Sequence, residues 1–165
     1  MHRPGRFRLV LTKEDFKFSV AHFTVFGADE AEPLHGHNYR VEVELEGDTL
    51  DDQGLLADIA AVKAQIRALC AELDDFILIP RDSGLVEVLE EEGSTEVRYG
   101  GRVYRFPSSE VRVLPLANTT MELFATWFWD HLAPELPTDR IDHLAVTVEE
   151  TAGQKCRYAS TVSSV

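Results

Sequence analysis

Three of the six histidines, His22, His35 and His37, have a spacing with chemical consequences. His35 and His37 flank Gly36 at the head of an alternating run. Tyr39, Val41, Val43 and Leu45 fall on one side of that run, and Arg40, Glu42, Glu44 and Glu46 on the other. Such alternation reads as a strand with one wet face. Side chains two apart on a strand point the same way, so a strand that begins at His35 projects both imidazoles together. Two imidazoles on one face are half a metal site. His22 closes an earlier run on the side of Phe16, Phe18 and Val20, and supplies a third imidazole. Zinc accepts imidazole nitrogen readily, and a catalytic zinc site uses three protein ligands and keeps one position for water or substrate. The competing reading is a satisfied core histidine at position 22 and two surface imidazoles at 35 and 37.

The other chemistry-bearing candidates are carboxylates at the ends of expected elements, where sites gather. Glu30 and Glu32 lie in the loop before His35, Asp74 and Asp75 follow the first helix, and Glu149 and Glu150 end the last long strand. Each, taken singly, also reads as a solvated surface group. Nucleophile elbows, dinucleotide fingerprints and phosphate-binding loops are absent from the sequence.

Positioning these groups falls to a chain of 165 residues, 44% of them apolar, which suits a single domain spanning 1–165. Residues 6–11 and 16–23 read as strands, and the loop from Thr24 to Leu34 returns the chain beside the second of them. An apolar stripe at Ile59, Val62, Ile66, Leu69 and Leu73 predicts a helix over 57–73, with Asp58 in its first turn. The chain then leaves in extended form over 74–80. Three short strands, near 85–89, 95–99 and 102–106, predict an inserted hairpin or meander within about 81–114. Its tight turns fall at Gly93-Ser94 and Gly100-Gly101. Asn118-Thr119-Thr120, with Glu122 close behind, starts a second helix that stops near Pro134. Strands follow at 143–150 and 156–159. Strand pairs with helices between them predict an α+β domain, an antiparallel sheet with both helices on one face.

A formal charge of −13 argues against a nucleic-acid partner, whose affinity rests on Lys and Arg. It also suits a highly phosphorylated ligand only if the basic residues gather at one place. No run of about 18 apolar residues predicts a membrane span. The basic start, Met1 to Arg6, is followed by no apolar signal segment, so a cytoplasmic chain is expected. The two cysteines, Cys70 and Cys156, read as packing residues rather than a disulfide.

The order Phe18-Ser19-Val20-Ala21-His22, His35-Gly36-His37-Asn38-Tyr39 and Gly54-Leu55-Leu56-Ala57-Asp58-Ile59 resembles the 6-pyruvoyl-tetrahydropterin and 6-carboxytetrahydropterin synthase family. Leu73-Asp74-Asp75, Thr119-Thr120-Met121-Glu122 and Val148-Glu149-Glu150-Thr151 keep that family's order. The resemblance implies a tunnelling fold, a four-stranded antiparallel sheet with two helices on one face. It implies trimers that close into a barrel and stack as a homohexamer. It also implies zinc on His22, His35 and His37, and a pterin held by Glu150 with help from Thr119, Thr120 and nearby backbone. The chain departs from the family twice. No cysteine lies between His22 and His35, and Asp75 stands where a relay histidine follows Asp74.

A branch of the family is similar in placing a glutamate where the cysteine belongs, and it cleaves dihydroneopterin triphosphate to 6-hydroxymethyl-dihydropterin. Glu32 is the matching candidate base, with Asp74 as its helper. Three readings follow: a zinc-dependent lyase, a pterin-binding homologue without the standard activity, and a non-enzymatic oligomer whose meander recruits a protein partner.

Overall fold

Alternation sets the sheet in the computed structural model, which describes residues 5–162. Met1 to Pro4, from the basic start, lie outside the described residues. The strands and helices are β1 (Phe7–His22), β2 (His35–Gly47), α1 (Ile59–Leu73), β3 (Phe76–Pro80), β4 (Glu87–Glu91), β5 (Ser94–Tyr99), β6 (Arg102–Pro107), β7 (Val111–Leu114), α2 (Met121–Leu132), β8 (His143–Thr151) and β9 (Gln154–Thr161). Tyr39, Val41, Val43 and Leu45 of β2 are all buried, and so are Leu144, Val146 and Val148 of β8. Both helices cover this apolar face. Val62, Ile66 and Leu73 of α1 and Phe124 and Phe128 of α2 share one core with Phe16, Phe18 and Val20 of β1. The aromatics of α2 are therefore packing residues. None of the described helices is long and apolar enough to cross a membrane.

The main sheet has six strands, in the order β7-β3-β1-β2-β8-β9, rather than the expected four. The antiparallel quartet β1-β2-β8-β9 is present, but β3 pairs parallel with β1, and β7 parallel with β3. Phe76–Pro80 is a short apolar run with no period of two and Val111–Leu114 is only four residues long, so nothing in either announces a parallel partner. The expected strands at 6–11 and 16–23 are one strand, β1. Its ladder slips between Thr12 and Lys17, where the pairing passes from Glu42 to Arg40. This irregularity lets the polar stretch Lys13-Glu14-Asp15 lie exposed while β1 keeps the same partner.

Helix α1 starts two residues later than expected. Asp58 is its N-cap, accepting from the Ala60 and Ala61 amides, rather than a first-turn residue. Thr120 caps α2 by accepting from the Leu123 amide. The expected meander is the separate sheet β4-β5-β6. It packs on a second core, in which Val97 and Tyr99 meet Phe23, Val25 and Ile79. That core lies under the loop between β1 and β2.

Candidate functional site

Strand register brings the three histidines together. His22 pairs directly with His35 across the β1–β2 ladder, and His37 lies two residues along β2 on the same face. One ring nitrogen from each lies within 4.8 Å of the other two. The tautomers of two are set from outside. The Nδ1–H of His22 donates to the Thr119 carbonyl (3.0 Å), and that of His35 to the Pro33 carbonyl (2.8 Å). Each Nε2 lone pair is thereby turned inward, an arrangement typical of metal-ligating imidazoles. His35 Nε2 and His37 Nε2 face each other at 2.9 Å. Two lone pairs cannot rest at that distance, so the arrangement calls for a proton or a metal cation. The donor set, three imidazoles, two of them oriented by backbone carbonyls, fits zinc.

Burial pushes the His22 imidazole down to about 4, against the pull of the Thr119 carbonyl and with smaller pushes from His35 and His37. His22 is thus neutral at ordinary pH, as a ligand must be. Tyr39, next along the same face of β2, places its hydroxyl 3.0 Å from His22 Nε2 and 3.3 Å from Glu150 Oε2. Burial, then the Glu150 carboxylate, raise the Tyr39 phenol well above its usual value, so it stays protonated.

Glu150 completes the cluster. Its Oε1 lies 3.0 Å from His37 Nε2, and its side chain is largely shielded. The β8–β9 ladder slips between Glu149 and Thr151, and Glu150 occupies the slip. A bulge of this kind re-aims a side chain, here across the strand end toward the histidines. An open cleft of about 580 Å³ adjoins, lined among others by Ser19, Gly36, His37, Asn38, Asp75 and Glu150.

Glu32 reaches the edge of the same cluster. Its Oε2 accepts from the Thr24 amide (3.0 Å) and lies 3.9 Å from His35 Nε2. Burial works to raise its pKa, but the Thr24 hydrogen bonds and the neighbouring imidazoles outweigh it and hold the carboxyl below its ordinary value. The remaining candidates are engaged elsewhere. Thr119 is fully buried, its hydroxyl donating to the Phe23 carbonyl (2.9 Å) while its own carbonyl orients His22. Thr120 spends its hydroxyl on the helix cap. Asp74 accepts from the Ser19 amide at 2.7 Å, and Asp75, not Asp74, lines the cleft. Asp75 adopts a left-handed backbone (φ 64°) and donates its amide to the Ser19 carbonyl.

Sequence reasoning gave Tyr39 no role at the site. Its signal was present, since it shares parity with His35 and His37. The Pro33 and Thr119 carbonyls carried no signal, because backbone groups have no residue type to read.

The family model described as 6-pyruvoyl tetrahydropterin synthase matches residues 11–161. A provisionally named 6-carboxy-5,6,7,8-tetrahydropterin synthase of Methanocaldococcus jannaschii is 30% identical over 145 residues, covering 86% of this chain and 88% of that protein. The crystal structure of 6-pyruvoyl tetrahydropterin synthase from Plasmodium vivax superposes with a TM-score of 0.89 at 25% identity, covering 96% of this chain and 99% of that one. A solved variant of the same Plasmodium vivax enzyme, with the same overlap, carries alanine in place of a glutamate described as a catalytic residue.

Proposed function

The chain belongs to the 6-pyruvoyl tetrahydropterin synthase family, and from that premise we propose that it is a zinc-dependent lyase acting on dihydroneopterin triphosphate or a related reduced pterin. The observation that carries this reading is the Glu150 carboxylate 3.0 Å from His37 of the histidine trio, beside a cleft that His37 and Glu150 both line. His22, His35 and His37 would hold the zinc. Bound there, zinc supplies Lewis acidity toward an oxygen of the substrate side chain.

Glu150 grips the pterin. A carboxylate accepts two parallel hydrogen bonds from the amino group and ring nitrogen, and this pairing fixes the ring and aims its side chain at the metal. At the start of α2, Thr120 assists in holding the pterin, and Thr119 contributes through the carbonyl that orients His22, its amide being held by Asn118. Glu32 takes the proton. Its Oε2 accepts from the Thr24 amide and lies 3.9 Å from His35 Nε2, which sets the carboxylate beside a substrate that would sit at His35. The catalytic glutamate of the Plasmodium vivax enzyme supports this assignment. Asp74 helps by fixing Ser19, a residue that lines the cleft.

The same reading extends to assembly. β3 pairs with β1 only at Val20 and Ala21, so the Phe7–Lys17 edge of β1 has no described neighbour on that side, and β9 ends the sheet opposite. Two free edges on one sheet close into a ring by heterologous pairing, consistent with trimers that stack into a homohexamer. Two unpaired cysteines suit a cytoplasmic setting.

A second reading, a pterin-binding homologue without the standard activity, is favoured by Asp75 in the relay position and by the depressed pKa of Glu32. Incubation of zinc-loaded protein with dihydroneopterin triphosphate separates the two. Loss of the substrate side chain supports the lyase. A pterin that raises Tm yet is recovered unchanged supports the second reading, and neither effect removes both.

A further inference from the structure

The loop that carries Glu32 is held by a segment far away in sequence. Tyr99, at the end of β5, donates its hydroxyl to the Gly27 carbonyl. Arg102, at the start of β6, donates Nη1 to the Glu32 carbonyl (2.8 Å) and Nη2 to the Ala31 carbonyl (3.3 Å). Its guanidinium also lies 5.9 Å from the centre of the Tyr99 ring. Between them, Gly100 turns with φ +50°, and a Cβ there would come within 3.3 Å of the Ala28 carbonyl. The tip of the β5–β6 hairpin thus meets the backbone of the loop at four residues. Beneath it, the second core packs Val97 and Tyr99 against Phe23 and Val25, with Ala31 and Leu34 beside them.

We propose that the β4–β6 meander is a clamp that positions Glu32, with Tyr99 and Arg102 as its positioning residues. The inference rests on the reading of Glu32 as the base. Its physical logic is that a loop between two strands samples many conformations, and a displacement of about 1 Å at a reacting group costs on the order of 100-fold in rate. Thr24 and Glu32 bind each other at the neck of the loop, the Glu30 carbonyl accepts from the Phe26 and Gly27 amides, and Asn118 holds Val25, while the Gly27, Ala31 and Glu32 carbonyls meet the hairpin tip. Arg102 spans two of those carbonyls with one planar group, which a single ammonium does less well. The hairpin tip faces the site loop, so the meander has an occupant within this chain.

The test uses the full-length, zinc-loaded protein with Arg102→Ala, Arg102→Lys and Tyr99→Phe, and Glu32→Gln and Glu32→Ala as references. Two quantities are read: kcat and KM on dihydroneopterin triphosphate, and hydrogen exchange at the Thr24 amide, whose acceptor is the Glu32 carboxylate. Arg102→Ala is expected to lower kcat about 10- to 100-fold with KM nearly unchanged. It should also speed Thr24 exchange toward the Glu32→Ala rate while zinc content holds. Arg102→Lys should recover part of both, and Tyr99→Phe should move both in the same direction by less. A lower Tm with kcat and Thr24 exchange unchanged overturns the clamp. If Glu32→Gln turns over at the parent rate, the base assignment falls instead, and the Thr24 amide alone then decides the clamp. Should Arg102→Ala fail to fold, the lysine and phenylalanine variants carry the same two readouts.

Discussion

His22, His35 and His37 ride on paired strands, whereas Glu32 rides on the loop that joins those strands. The histidines are held by the backbone ladder itself, and behind them the stacked rings of Phe18 and Tyr39, 5.0 Å apart, sit in the first core. Moving one imidazole means breaking the sheet. Glu32 has only a short frame, its amide on the Thr24 carbonyl and a single bridge between Val25 and Ala31. Its place is set by that neck, by Asn118 on Val25, and by Arg102 and Tyr99 from outside. The difference teaches that one site can combine a histidine trio preorganised by register with a proposed base whose position depends in part on side chains from a separate sheet. The first resists substitution of its surroundings, and the second is exposed to it.

Removing the proposed base tests the contrast most severely. Glu32→Gln keeps the size of the side chain and its bond from Thr24, and is expected to lower kcat by about 10²- to 10⁴-fold. Zinc content, measured on the same sample, should stay at the parent level because no histidine has moved. Loss of zinc along with activity would merge the two regions and break the comparison.

A smaller effect is expected at Asp74. Asp74→Ala removes the exposed bond to the Ser19 amide, at a cost of about 1 kcal/mol in a denaturant titration, with kcat lowered by less than about tenfold. A fall in kcat beyond about tenfold at unchanged stability would show instead that its carboxylate takes part in the chemistry.

The strand-borne half of the site was legible before any coordinates because it rests on parity. His35, His37 and Tyr39 share a face by a period of two, and His22 continues the side of Phe18 and Val20. Glu150 follows Val146 and Val148 on the same parity, although the ladder slip that turns it inward left no mark in the residue pattern. The start of α2 at Thr120 was readable through capping chemistry, whereas α1 was read from its apolar stripe, with Asp58 placed in the first turn rather than at the cap it occupies. Strands β3 and β7 were not readable as sheet members, since their partners are parallel and distant. Nor was the continuity of β1 through Lys13 to Phe16, because the polar stretch there looks like a turn when its partner is unknown. Arg102 is 70 residues from the carbonyl it holds, and no local period encodes a contact of that range. What depends on local backbone geometry could be read, and what depends on long-range side-chain contact had to be seen.

The central claim is that three imidazoles share one cation, and X-ray absorption at the zinc edge, paired with metal analysis of purified protein, tests it most directly. The expected result is about one zinc per chain with three imidazole nitrogens at about 2.0–2.1 Å, lost in each of His22→Ala, His35→Ala and His37→Ala. Zinc that fails to bind, or that survives any one of those substitutions with its shell unchanged, would contradict the account.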